Sequence, residues 1–318
     1  MNYIFLDEIQ HCKNFEKAVD SLFIKNNCDV YITGSNAYFM SGELATVLSG
    51  RYVEIQMLPL SFKEFNLGLD EQYGNLSLKE KFNLYVNYGS FPFITKYNNF
   101  TDDSKDYLQG IFDTILNKDI ARRLNIADTV SLENVTKFLL HSIGNKISPT
   151  KIANTLKSAG KSVDQKTVDK YIKGLVDSML IYEAGRYNIK GKQFLSTQSK
   201  YYVVDVGMRN ALVKSSESDI GHILENIVYL ELKRRYKNVY VGEIDSGEVD
   251  FVSVNDNKYE YYQVSATTLD ENTLKRELAP FGKIKDNYPK YLLTLDDVFS
   301  NADYNGVQKI NVLEWLLK

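Results

Sequence analysis

Four consecutive apolar residues, Tyr3-Ile4-Phe5-Leu6, run straight into two acids, Asp7 and Glu8. A strand that is apolar at every position is buried on both faces, the condition of a strand inside a parallel sheet. The chain then repeats the arrangement. Asn14 to Ile24 has helical spacing, Asp29 to Thr33 is a second short buried strand ending at Gly34, and Tyr52 to Met57 reads as a third strand closed by Pro59. This alternation predicts a parallel α/β sheet. The carboxyl ends of such strands border the ligand crevice, so Asp7 and Glu8 stand where ligand chemistry occurs. The same two acids also fit a plain helix cap after a strand.

From Ser61 to about Leu140 the pattern turns helical, with one break at Tyr88-Gly89-Ser90-Phe91-Pro92. Two short helices and a hairpin are expected between Ser148 and Lys192. Beyond Tyr201 the pattern is mixed: a helix at Gly221–Tyr236, strands at Val239–Ile244, Glu248–Val254 and Tyr259–Ala266, a helix at Glu271–Asp286, and a strand at Lys290–Thr294. With 44% hydrophobic and 25% charged residues over 318 positions, the chain can bury the cores of two or three domains. A net charge of -3 excludes a globally cationic nucleic-acid binder but not a local basic face. No apolar stretch approaches the ~20 residues that span a bilayer, and MNYIFLDEIQ lacks the basic start of a signal peptide. Cys12 and Cys28 make no metal spacing and no disulfide framework, which suits a reducing cytoplasm. His11, His141 and His222 lie far apart and match no zinc motif.

The acids have a chemistry suited to their position. Asp7 could hold Mg²⁺ through water, and Glu8 could orient or deprotonate an attacking water. Ile32-Thr33-Gly34-Ser35-Asn36 sets small polar groups at the tip of the neighbouring strand, where Asn36 would sense a γ-phosphate or simply cap a turn. The ordered runs LDEIQ, ITGSNA, LSGRY, LPLSFKEF and YGSFPF, continued by KDIARR, YYVVDVGMRNAL and GHILENIVYLEL, resemble the AAA-type P-loop ATPases of bacteria and archaea that carry a C-terminal domain of unknown function. The resemblance covers nearly the whole chain. It implies that Tyr3–Glu8 is a Walker B strand, that ATP and Mg²⁺ are the cofactors of an intact member, and that Arg51 lies near the nucleotide. There an arginine offsets charge on the transferred phosphoryl group, in its own or a neighbouring subunit; the alternative is an ion pair with Glu54 or Glu64. No G-x-x-x-x-G-K-S/T occurs in the sequence. The family places that loop before Walker B, so the chain is expected to begin at Walker B and to bind no ATP unaided.

Two further segments carry signals. Ser148-Pro149 opens a helix, a turn with Gly160 follows, and Asp164–Leu180 puts Val168, Tyr171, Ile172, Leu175, Val176 and Met179 on one stripe. This is helix-turn-helix spacing, with Ile181–Leu195 as a wing. Lys146, Lys151, Lys157, Lys161, Lys166, Lys170 and Lys173 make the segment locally basic. Lys151, Lys166, Lys170 and Lys173 are the candidates for DNA-backbone contact, weak and without sequence preference; the alternative is a winged helix used for packing. Farther on, Glu225, Asp250, Gln263 and Ser265 resemble the core of the restriction-endonuclease-like fold. Its active form needs a helix Glu, a strand Asp and a Glu-x-Lys on the next strand. Here Gln263 replaces the Glu and Ser265 the Lys, with Lys275 or Arg276 the only displaced cations in prospect, so an inactive nuclease-like domain used for binding is expected.

The expected fold class is therefore α/β, with a helical region and a winged helix between a partial ATPase core and a C-terminal α/β domain. Residues 1–66 form the C-terminal part of an AAA-type core, 67–140 a helical region, 141–195 a winged-helix unit and 196–318 a nuclease-like domain. The expected function is that of the C-terminal portion of an AAA-type ATPase, hydrolysing ATP only with a supplied phosphate loop. The alternative is a non-enzymatic DNA- or protein-binding module that has lost nucleotide use. Expected partners are DNA and a second copy or another protein, with no membrane.

Overall fold

A computed structural model of the protein describes residues 1–9, 12–35, 50–96, 100–214, 216, 219–245, 247–255 and 258–318. At the N-terminus β1 (Asn2–Leu6) pairs in parallel with β2 (Cys28–Ile32), in a register that sets Leu6 opposite Ile32, and α1 (Phe15–Phe23) connects them. α1 turns Phe15 and Val19 onto Ile9, with Leu6, Val30 and Ile32 packed around them. The third strand expected at Tyr52–Met57 is absent: these residues are irregular and the sheet has two strands among the described residues. The alternation of Val53, Ile55 and Met57 with Glu54 and Gln56 suits a strand, but a strand needs hydrogen bonds from a neighbour, and here the three apolar side chains are 88%, 79% and 83% exposed.

The chain then enters a larger body. α2 (Phe62–Tyr73) and α3 (Leu78–Tyr88) each open on a capping box, Ser61 with Glu64 and Ser77 with Glu80. A 3-10 turn at Pro92–Lys96 leads to α4 (Asp102–Thr114), which continues as a π-helix over Ile115–Arg122, and to α5 (Thr129–His141). Next come β3 (Lys146–Ile147), α6 (Pro149–Ser158), α7 (Gln165–Asp177), β4 (Ile181–Asn188), β5 (Gln193–Val203), α8 (Val206–Leu212) and α9 (Ile220–Arg235). The last part comprises β6 (Asn238–Ile244), β7 (Gly247–Asn255), β8 (Lys258–Ser265), α10 (Glu271–Leu278), β9 (Lys290–Thr294), β10 (Asp303–Tyr304), β11 (Val307–Asn311) and α11 (Val312–Leu316). The helix expected to reach Asp286 stops at Leu278, and Pro280, which has no N–H, precedes a short 3-10 turn at Phe281–Lys283.

Among the described residues, nine strands form one mixed sheet in the order β10-β11-β9-β8-β7-β6-β4-β5-β3. The parallel pairing of β4 with β6 joins the expected wing hairpin to the strands beyond it. The expected boundary at 195/196 thus falls inside β5, and the sheet runs across it. Neighbouring residues alternate between two apolar layers. Phe251, Tyr262 and Leu293 face the core that runs from Phe62 to Leu316, while Val252, Tyr261 and Leu292 face a smaller cluster with Phe281 and Ile284. α9 lies in the larger layer, buried from Ile223 to Leu232.

One close approach fixes the helical region to this body. The buried Asp205 caps α8 through Met208 N (2.7 Å) and accepts from Ser90 N (2.5 Å) and Ser90 Oγ (2.8 Å). Gly89 adopts φ +84°, and a Cβ on Gly207 would stand 2.0 Å from Gly89 N, so only glycine fits at 207. Arg234 adds a bond to Pro59 O, at 2.5 Å.

Candidate functional site

The first constellation stands on the ends of β1 and β2. Their parallel pairing brings Asp7 beside Thr33, whose Oγ1 donates to Asp7 Oδ1 at 2.5 Å and accepts from Glu8 N at 3.1 Å. Thr33 N donates to Leu6 O (3.0 Å) and Ile9 N to Thr33 O (3.3 Å), so the two strand tips are closed onto each other. Glu8 has φ +48°, the sharp exit by which the chain leaves the strand. Asp7 is exposed and Glu8 half-buried. Arg51 pairs with Asp20 Oδ1 of α1 at 2.7 Å and lies over the Phe23 ring, 5.8 Å from its centroid; Asp20 is thus its partner, not Glu54 or Glu64. Asn36 lies outside the described residues.

The second constellation is in the body. Glu225 of α9, Asp250 of β7, and Gln263 and Ser265 of β8 meet along a cleft of about 510 Å³, with His222, Arg276 and Glu277 at its walls. Gln263 Nε2 donates to Glu277 Oε2 (2.8 Å), Asp250 N donates to Gln263 Oε1 (3.3 Å), and Val264 N donates to Asp250 Oδ2 (2.8 Å). Ser265 Oγ is spent on Thr267 O (3.0 Å).

A lysine that sequence reasoning passed over stands at the centre. Lys200 of β5 reaches Glu225 Oε1 at 2.8 Å, Glu248 Oε1 at 2.6 Å and Asp250 Oδ1 at 3.9 Å, and its side chain is 6% exposed. Tyr202 OH donates to the same Glu225 oxygen at 2.6 Å. Burial works against the Lys200 ammonium, but Glu225, Asp250 and Glu248 outweigh it and hold the group charged, well above the ordinary lysine range. Burial likewise opposes the Glu225 carboxylate, and Lys200, with His222 and Tyr202 adding bonds, nevertheless keeps it below the ordinary value. Asp250 goes the other way: burial, reinforced by the Glu225 charge, raises its carboxyl well above the ordinary range, while Lys200 and the bond from Val264 N oppose the rise. Among the described residues, no three or more His, Cys, Asp or Glu side chains are arranged to hold a metal ion.

The lysines of the third constellation are dispersed. Lys151, Lys166, Lys170 and Lys173 are exposed, the last three spaced along one side of α7. Lys170 Nζ also donates to Leu124 O (2.9 Å) and Lys161 Nζ to Asn134 Oδ1 (2.6 Å). Lys146 points elsewhere, pairing with Glu243 (3.0 Å) and Glu248 (2.6 Å).

Two proteins of known sequence align along almost all of the chain. An uncharacterized protein of Haemophilus influenzae is 39% identical over 316 residues, which span 99% of this chain and 78% of that protein. An uncharacterized protein of Methanocaldococcus jannaschii is 33% identical over 324 residues, spanning 97% and 70%. The chain belongs to their family. Within this family member, residues 1–66 match the model of an AAA domain, and residues 79–219 match that of a domain of unknown function, DUF8612. The N-terminal part is therefore related to the AAA-type P-loop ATPases. The Walker-type ATPase of Pyrococcus abyssi superposes on 66% of this chain and 62% of its own at a TM-score of 0.45 and 12% identity, too loose a likeness to establish a shared fold. No helix among the described residues is long and apolar enough to cross a membrane.

In this family member, Lys200, Glu248 and Glu277 complete the central cluster, yet none of the three stood out in the sequence, whereas Thr33, one of the small polar groups expected at the tip of β2, joins Asp7. Lys200 carried a signal all the same. It lies two residues before Tyr202 on one strand, so it shares a face with a buried ring. Of the two cations that could have been displaced into the site, Lys275 pairs with Glu271 outside it (2.6 Å), while Arg276 pairs with Glu277 at the cleft wall (2.8 Å).

Proposed function

We propose that the protein is an ATPase portion whose catalytic acids are Asp7 and Glu8, joined to a body that binds DNA or protein without metal chemistry. The observation that carries the first half is the bond from Thr33 to Asp7 across two parallel strand ends. It supports a strand-tip acid with a polar neighbour, the arrangement that nucleotide hydrolysis requires. An exposed carboxylate at a strand end suits Mg²⁺ held through water, whereas the sequence offers no glycine-rich loop to cradle a triphosphate. Magnesium, when present with ATP, would supply charge neutralisation at the phosphates. Glu8 would orient and deprotonate the attacking water, Asn36 would contact the γ-phosphate, and Arg51, leaving Asp20, would face the transferred group of its own or a neighbouring copy. Hydrolysis on this reading requires a supplied phosphate loop.

For the body, α6 and α7 with the β4–β5 hairpin support a winged-helix reading, and exposed Lys151, Lys166, Lys170 and Lys173 support weak, non-specific contact with DNA phosphates. Gln263 and Ser265, each bonded to protein partners, support an inactive nuclease-like domain in which Glu225 and Asp250 are remnants of a site. A second copy or another protein is the other partner this reading admits.

The test is calorimetry of the 318-residue chain with Mg²⁺ and ATP. No heat of binding is expected. Micromolar affinity that disappears in Asp7→Ala would contradict the need for a supplied loop. A non-enzymatic DNA- or protein-binding module is the second reading, supported by the exposed lysines of α6 and α7.

A further inference from the structure

We infer that the Lys200 ammonium is a built-in cation occupying the centre of Glu225, Glu248 and Asp250, so that this cluster is closed to metal ions in the native protein and becomes a divalent-cation site when the lysine is removed.

The argument begins with where the charge sits. Three acidic side chains from α9 and β7 converge on one point inside the body, and that point is an ammonium nitrogen, 2.8, 2.6 and 3.9 Å from their nearest oxygens. Glu225 and Asp250 are buried and Glu248 is half-buried, with its second oxygen on Lys146 at 2.6 Å; carboxylates in such proximity repel one another, and the ones that lose their water are stabilised by a positive charge at their centre. Nature supplies that charge in two ways, a metal ion or a basic side chain, and one position cannot hold both.

The two short distances are only slightly longer than calcium–oxygen bonds of about 2.3–2.6 Å, so a spherical cation would need small shifts of Glu225 and Glu248 and a swing of Asp250. The lysine is placed by its strand. Tyr202, two residues on, turns to the same face and bonds the same Glu225 oxygen, and Asn226, next to Glu225, clasps both N and O of Val203 at 2.8 and 2.9 Å. β5 and α9 are thereby locked in register, and Nζ has nowhere else to go. The cleft beside the cluster gives an ion a path inward once the lysine is gone.

The probes are Ca²⁺ and Mn²⁺, each titrated by calorimetry and followed by thermal unfolding of the full chain. Native protein is expected to give no binding heat and a Tm shift within about 1 °C. Lys200→Met, which keeps the stem and removes the charge, is expected to lower Tm by roughly 10 °C without metal and to regain at least half of that at saturating Ca²⁺ or Mn²⁺. Adding Glu225→Gln to Lys200→Met should abolish the recovery, and Lys200→Arg should remain unresponsive because it restores the charge. Submillimolar binding to the native chain that is lost in Asp250→Asn would overturn the inference. So would a folded Lys200→Met that ignores both ions, and so would a Lys200→Met that stays unfolded at saturating metal, since the ion should replace the lysine.

Discussion

The N-terminal unit and the body handle polar chemistry in opposite ways. In residues 1–57, Asp7 stands exposed at a strand end above a small cluster of Ile9, Phe15 and Val19, while Phe5, Val53, Ile55 and Met57 face outward. In the body, acids and lysines are taken inside and neutralised there, as Lys200 is by Glu225 and Lys309 by Asp296 (2.8 Å), within a core that extends from Phe62 to Leu316. A reactive acid must keep access to ligand and water, so it cannot be stabilised by the burial that steadies the body. Among the described residues, the part that carries the AAA-type sequence buries the smaller apolar cluster.

The sharpest way to break this comparison is to remove a ring from each side. Phe62→Ala should cost about 3–5 kcal/mol and lower the main unfolding transition by roughly 10 °C. Phe15→Ala should leave that transition within about 1 °C and show itself only as faster proteolysis of the first 57 residues. Equal shifts in scanning calorimetry would mean that the two regions unfold as one.

Within the body, Glu225 and Asp250, two of the three acids around Lys200, should respond unequally. Glu225→Gln removes the charge that Lys200 needs and should cost about 3 kcal/mol. Asp250→Asn should cost less, because Asp250 stands 3.9 Å from the ammonium against 2.8 Å for Glu225 and the amide oxygen can still accept from Val264 N. Chemical denaturation of the two variants decides it, and a larger loss for Asp250→Asn would reverse the order.

The exposed lysines supply a milder test. Lys166→Glu with Lys170→Glu should weaken binding of random duplex DNA and reduce the slope of log affinity against log salt by about 2, read by fluorescence anisotropy. Salt-insensitive binding, or none lost in the double variant, would leave α6 and α7 as packing elements.

The smallest effect concerns acid. Burial alone would raise the Asp296 carboxyl, but Lys309 and the hydroxyls of Thr267 and Thr268 hold it at about 2, below its ordinary 3.8. Its folded value is depressed, so its stabilisation is full above about pH 4 and fades as pH falls through 2. Lys309→Met should flatten that part of the stability curve between pH 4 and 2.

Regular elements were legible because their periods are strong. Lys290–Thr294 forms as a strand around its apolar centre Tyr291-Leu292-Leu293, and α9 carries the run GHILENIVYLEL. Tyr52–Met57 misled because alternation reports a face to be covered, not a strand to pair with. The candidate site was half legible. Glu225 and Asp250 were found because the helix and the strand that carry them resemble a nuclease-like core, but Lys200 lies 25 residues before Glu225, and its burial depends on the pairing of β5 with β4 and the packing of α9, which no local pattern reveals. The clasp of Gly89 with Gly207 is hidden for the same reason: each glycine looks like a turn until the other is in place.

The claim that Asp7 and Glu8 are hydrolytic acids is tested most directly by giving the chain a phosphate loop. With a G-x-x-x-x-G-K-S/T unit fused ahead of β1, steady-state ATP turnover and ATP affinity would be measured for the parent fusion and for Glu8→Gln. The account predicts that Glu8→Gln lowers turnover by at least about 100-fold and changes the ATP dissociation constant by less than roughly threefold. Turnover that is unchanged by Glu8→Gln would contradict it.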